Sequence, residues 1–154
     1  MLYTLRIFIC GLALFFSALS LASKDSVYLQ NGEVWFISEN GNKQQLTQTE
    51  GNIAKIDKSP SGNYIAAHKI IGYIEFEKDL ENPKEFFKDP YFSVLIIDVK
   101  SSKVIKELKS EKRLLHPLNW LNDSIYIFGE GSFLDISMEF HFDVKTGKTI
   151  RNDN

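Results

Sequence analysis

The chain repeats itself. "LIIDVKSSKVI" at residues 95–105 returns 45 residues later as "FHFDVKTGKTI" at 140–150, and "FISENGNKQ" at 36–44 lies over "IIDVKSSKV" at an offset of 60. Between these, "SPSGNYIA" at 59–66 lies over "LNDSIYIF" at 121–128, an offset of 62. The surplus of 17 falls in the segment before Tyr91. Repetition at this scale means one supersecondary unit that cannot bury its apolar face alone, so neighbouring copies must stack on one another.

The unit is built of strands. "SVYLQNGEVWFISENGNKQQLT" holds two Asn-Gly pairs between short Val-, Ile-, Tyr-, Trp- and Phe-rich runs. Asn and Gly tolerate the positive φ of tight hairpin turns, so strands are expected near 26–30, 33–38 and 43–47. Pro60 and Gly62 set a turn between strands near 53–57 and 63–69, and two more strands flank Lys100 to Lys103. The longest alternation comes last. Ile136, Met138, Phe140, Phe142 and Val144 share one face, and Glu139, His141 and Asp143 share the other. His116 is expected in a linker before the "LNDS" turn, and His68 at a strand end. No segment has a helical stripe. The expected fold is all-β, with about two and three-quarter copies of a four-stranded antiparallel unit, the first lacking its opening strand. Four-stranded units of this length are propeller blades, and too few are present to close a ring.

These residues stand apart from the first 22. "MLYTLR" is followed by an uncharged apolar run of 16 residues, and Ser20-Leu21-Ala22 places small residues where a signal peptidase inspects them. The run is shorter than the ~20 residues that span a bilayer, so residues 1–22 read as a secretory signal peptide and 23–154 as a single exported domain, periplasmic or secreted. Cys10, the only cysteine, leaves with the leader, so disulfide, thiol and cysteine–metal chemistry leave with it. Removal of Arg6 leaves 17 basic residues against 20 acids, interspersed along the chain. Neither nucleic acid nor an anionic membrane surface is an expected partner, because both need clustered Lys and Arg.

Ser59-Pro60-Ser61-Gly62-Asn63-Tyr64-Ile65-Ala66 resembles the "SPDGkyIaf" signature of TolB-type β-propeller repeats. "NWLNDSIYIF" is similar to the "WSPDs" variant of that signature, and the Asp-Val turns at 98 and 143 to its "iyvidl..tGk" strands. The resemblance covers about residues 26–150 and departs from the pattern at Ser61, where the family has Asp. What it implies is a scaffold, commonly for protein and peptide binding; the fold itself does not choose a function. An incomplete ring leaves sheet edges to be covered, left open, or paired with a second copy of the chain.

No nucleophile elbow, zinc-protease helix motif, P-loop or Rossmann glycine set is present, and no cofactor is expected. Glu139-x-His141-x-Asp143 is the one arrangement that places an imidazole between two carboxylates. It supports an alternative reading as a small metal-dependent or hydrolytic enzyme, set against a solvated strand face that alternation requires anyway. The surplus segment, residues 72–91, is the stronger feature. It carries Tyr73, Phe76, Phe86, Phe87 and Tyr91 together with Glu75, Glu77 and Asp79, in a place where a short hairpin loop would suffice. Aromatic anchors with an acidic rim suit a protein or peptide partner of basic character, and the same aromatics suit a cover over an open sheet edge. The expected function is an exported non-enzymatic binding module, in one version a periplasmic immunity protein that neutralises a wall-degrading toxin.

Overall fold

A computed structural model describes residues 25–77, 86–132 and 135–152; the leader and Cys10 lie outside these. Every regular element among them is a β-strand, and every pairing is antiparallel. β1 (Ser26–Gln30), β2 (Glu33–Ile37) and β3 (Lys43–Gln45) form a three-stranded meander. Asn31 and Gly32 both take positive φ, 53° and 67°, which gives the β1–β2 hairpin the primed turn that follows strand twist. β4 (Ile53–Lys58), β5 (Tyr64–Glu77), β6 (Phe86–Asp98) and β7 (Lys103–Leu108) form a second meander. β8 (Leu114–Trp120), β9 (Ile125–Gly131), β10 (Ile136–Asp143) and β11 (Lys148–Asn152) form a third. One backbone pair, Phe92 with Leu115, links the second and third meanders into an open eight-stranded sheet. The architecture is an incomplete stack of blade-like sheets. His116 lies within β8 and not in a linker, because "LLHPLNW" supplies the opening strand of the third blade, with a register shift just after Pro117.

The repeated "DVK" turns are one device used twice. Asp98 Oδ1 accepts from the Lys100 N–H at 3.0 Å and Oδ2 from the Ser101 hydroxyl at 2.9 Å. Asp143 does the same with Lys145 at 2.9 Å and Thr146 at 3.1 Å. Such Asp turns satisfy backbone donors that the strands leave unpaired.

Two apolar layers hold the stack together. In the first, Val27, Val34 and Leu46 of the first blade meet Ile53, Ile65, Ala67, Leu95 and Ile97 of the second. In the second layer, Ala66, Val94, Ile96 and Leu108 of the second blade meet Leu115, Tyr126, Phe128 and Phe142 of the third. The second blade is therefore buried on both faces, which is why "YIAA" and "VLII" read as continuous apolar runs and not as alternations. The faces obey the repeat. Each blade turns a matched pair toward its successor: Val34 and Phe36, then Val94 and Ile96, then Glu139 and His141.

The offset of 62 needs a correction of one residue in the strand. Ile97 pairs with Ile65, and its counterpart Phe142 pairs with Tyr126, so Ile65 corresponds to Tyr126 at an offset of 61. The turn absorbs the difference. Ser59 N–H bonds the Tyr64 carbonyl, whereas Leu121 N–H bonds the Ile125 carbonyl, one residue sooner. Without that shortening every side chain of β9 would change faces.

Candidate functional site

Residues 72–91 extend the blade. β5 and β6 run on as a paired arm, with six backbone pairs from Gly72–Tyr91 out to Glu77–Phe86. The segment expected to be surplus between two strands is thus largely strand itself. "GYIEFE" and "FFKDPY" supply the aromatic and β-branched residues that favour it. A bulge at Ile70–Gly72 marks the base, where β5 leaves its partner: β4 pairs no further than Lys69. Gly72 is required there. A Cβ at that position would lie 2.3 Å from the Tyr91 hydroxyl, so the ring of Tyr91 occupies the space that any side chain would fill.

Tyr73 is 57 % exposed on this arm. Glu75 and Lys88 are cross-strand partners joined at 2.6 Å, and that bond holds the lysine above its usual pKa. Phe76 and Phe87 are paired in the backbone, as are Glu77 and Phe86; Asp79 lies outside the described residues. Tyr91 lines an open cleft of about 650 Å³ at the base of the arm, together with Phe92, Lys112, Arg113 and Leu115. The segment 72–91 contains six acids and three lysines, a net −3 in a chain whose total is −2. The acidity of the protein is therefore concentrated here.

The trio on β10 is divided by its hydrogen bonds. His141 Nε2 lies 2.9 Å from Glu139 Oε1, which also accepts from the Asn152 amide at 2.7 Å. The Asn152 bond, then the His141 bond, hold Glu139 below the ordinary carboxylate range. Asp143 instead closes its turn, where the Lys145 N–H lowers its pKa. Among the described residues no three His, Cys, Asp or Glu side chains are grouped to hold a metal ion.

Two buried polar clusters escaped the sequence reading. His68, 6 % exposed, sits between the second and third blades with Nε2 3.0 Å from Asp57 Oδ2 and 3.1 Å from the Tyr126 hydroxyl. Burial lowers the His68 pKa, and the nearby Asp57 carboxylate only partly opposes it. Burial raises the Tyr126 pKa. Trp120 stacks its edge against Tyr126 and donates its indole N–H to the Asp57 carbonyl. In the first blade, Glu33 Oε1 accepts from the N–H groups of Thr49 and Gly51 at 2.6 and 3.0 Å, and Oε2 accepts from the Thr47 hydroxyl. Burial alone would raise the Glu33 pKa; the bonds from Gly51, Thr47 and Thr49 outweigh it and hold it low. The signal for the His68 cluster was a polar residue inside an apolar strand run, whereas Glu33 opens its strand after the Asn31-Gly32 turn and gave none.

No family model matches the chain, and no curated protein matches it.

Proposed function

We propose that this chain is an exported, non-enzymatic binding module of TolB-type blade ancestry, whose partner is a protein or peptide engaged by the arm. One observation carries the reading: two core strands run six backbone pairs beyond their blade and present an exposed Tyr73 on an acidic segment. A hairpin this long is not needed to join β5 to β6, whereas an aromatic residue on a framed strand supplies contact area at low entropic cost. The acidic excess selects a basic partner and speeds its approach. Export through residues 1–22 places the encounter in the periplasm or outside the cell, and the immunity-protein version adds that the partner is a wall-degrading toxin.

The test is a pull-down from periplasmic extract with two proteins: the whole domain and a variant in which residues 73–90 are replaced by Asn-Gly. The shortened domain is expected to keep its melting temperature and lose the captured protein. Equal capture by both would place the functional surface elsewhere. Gene neighbourhood checks the immunity version independently, since a toxin gene should lie beside this one.

A further inference from the structure

We infer that the β5 edge of the arm, Ile71 to Glu77, takes up a basic extended segment of the partner as an added antiparallel strand. The inference rests on the binding reading above and specifies its mode. Beyond Ile70, whose N–H donates to the Asn52 carbonyl, the outer edge of β5 has no strand beside it among the described residues, and the inferred strand would pair with its outward backbone groups there. The two edges of the arm differ. β6 carries Pro90, which lacks an N–H, and prolines in sheets sit where that missing donor faces outward. β5 has no proline from Tyr64 to Glu77. Its arm portion carries Glu75 and Glu77 and no lysine, while Lys88 lies across on β6. An incoming strand with lysine or arginine at alternate positions sets them on the face that carries the Glu75 carboxylate. Tyr73, two residues before Glu75 and so on the same face, is 57 % exposed and offers its ring to the aliphatic stem of a neighbouring lysine or arginine.

Hydrogen exchange followed by NMR reads this edge directly. The probe is a synthetic ten-residue peptide alternating lysine with valine, and the controls are the same peptide with glutamate for lysine and with alternate backbone nitrogens methylated. At saturation, the outward-facing amides between Ile71 and Glu77 are expected to slow at least about tenfold, because an added strand protects them as a ladder does. Glu75→Lys with Glu77→Lys is expected to weaken binding about tenfold at low salt, with the difference shrinking as salt rises. Both control peptides should fail. The inference is overturned if the peptide does not bind, if it binds without protecting these amides, or if the methylated peptide binds equally well. It is overturned in favour of self-pairing if the amides are protected by raising protein concentration alone. A partner whose capture needs the arm but leaves these amides unprotected would remove the inference and leave the binding reading standing.

Discussion

His68 and Tyr126, 58 residues apart, share a hydrogen bond of 3.1 Å in the buried seam between the second and third blades. Asp57 and, beyond it, Lys55 complete the charged surroundings of this imidazole, and Phe92 packs against its ring. Burial favours neutral His68, so its folded pKa lies below the unfolded value near 6.5. The unfolded chain then binds the proton first as pH falls. Stability is expected to be full above pH 6.5, to decline below it, and to level off once pH passes the folded pKa. Thermal unfolding at pH 5 to 8 should show this decline in the wild type and a flatter profile in His68→Gln. Tyr126→Phe should cost about 1 kcal/mol, the usual net worth of one hydrogen bond.

Glu33 tests the opposite sign. Its folded pKa is depressed below the unfolded value of 4.5, so its contribution is present above that pH and lost as pH falls through the folded value. Glu33→Ala leaves several buried donors without an acceptor and should cost about 3 kcal/mol. Denaturant unfolding at pH 7 and pH 3 should show a large difference between the two proteins at the first and a smaller one at the second.

Ser102 has φ of 55° at the turn position where the third blade has Gly147 at 68°. A side chain in that region costs about 1–2 kcal/mol. Ser102→Gly is therefore expected to stabilise by about 0.5–1 kcal/mol after the added freedom of the unfolded chain is subtracted, and Gly147→Ser to destabilise by about 1 kcal/mol. Calorimetry on the pair decides whether the two turns are equivalent.

Glu139 and His141 stand where the other blades have apolar residues that the next blade covers. His141→Ala should leave the melting temperature within about 1 °C, since it removes a partly exposed ring on the outward face. Glu139→Val with His141→Ile should create a face of the Val94–Ile96 kind with no blade to cover it. Sedimentation is expected to show concentration-dependent association of that variant alone. Phe142→Asp, by contrast, buries a charge in the second apolar layer and should unfold the domain.

How far the sequence could be read depended on distance along the chain. The Asp98 and Asp143 turns, the Asn31-Gly32 hairpin and the faces of β10 from Met138 onward were legible, because each is decided by residues within a few positions; Ile136 was not, because the bulge before Met138 moves it to the face of Glu139, against Gly129. The extent of the arm was not, since a surplus of 17 residues looks the same whether it loops or pairs. Matching letters set Tyr64 against Tyr126, whereas the fold matches faces and sets Ile65 there. The seam at His68 was invisible for a related reason: it joins Asp57 on β4 to Tyr126 on β9, and no local period links them. Tyr73, Glu75 and Tyr91 lie on paired strands, a form that the letters of the surplus segment did not disclose.

The continuity of the arm with the blade has a mechanical side. Thirteen backbone pairs, with the one bulge at Ile71, run from Tyr64–Asp98 at one end of the strand pair to Glu77–Phe86 at the other. A pull on the tip along its axis drags two central strands lengthwise past β4 and β7. The ladders on either side are then loaded together in shear and not opened one pair at a time. A handle attached through a flexible loop would yield before its support did. This one is continued by the backbone pairs of the core strands themselves, so tension applied by a bound partner is carried toward Ile65, Ala67, Leu95 and Ile97, the residues that join the first blade to the second.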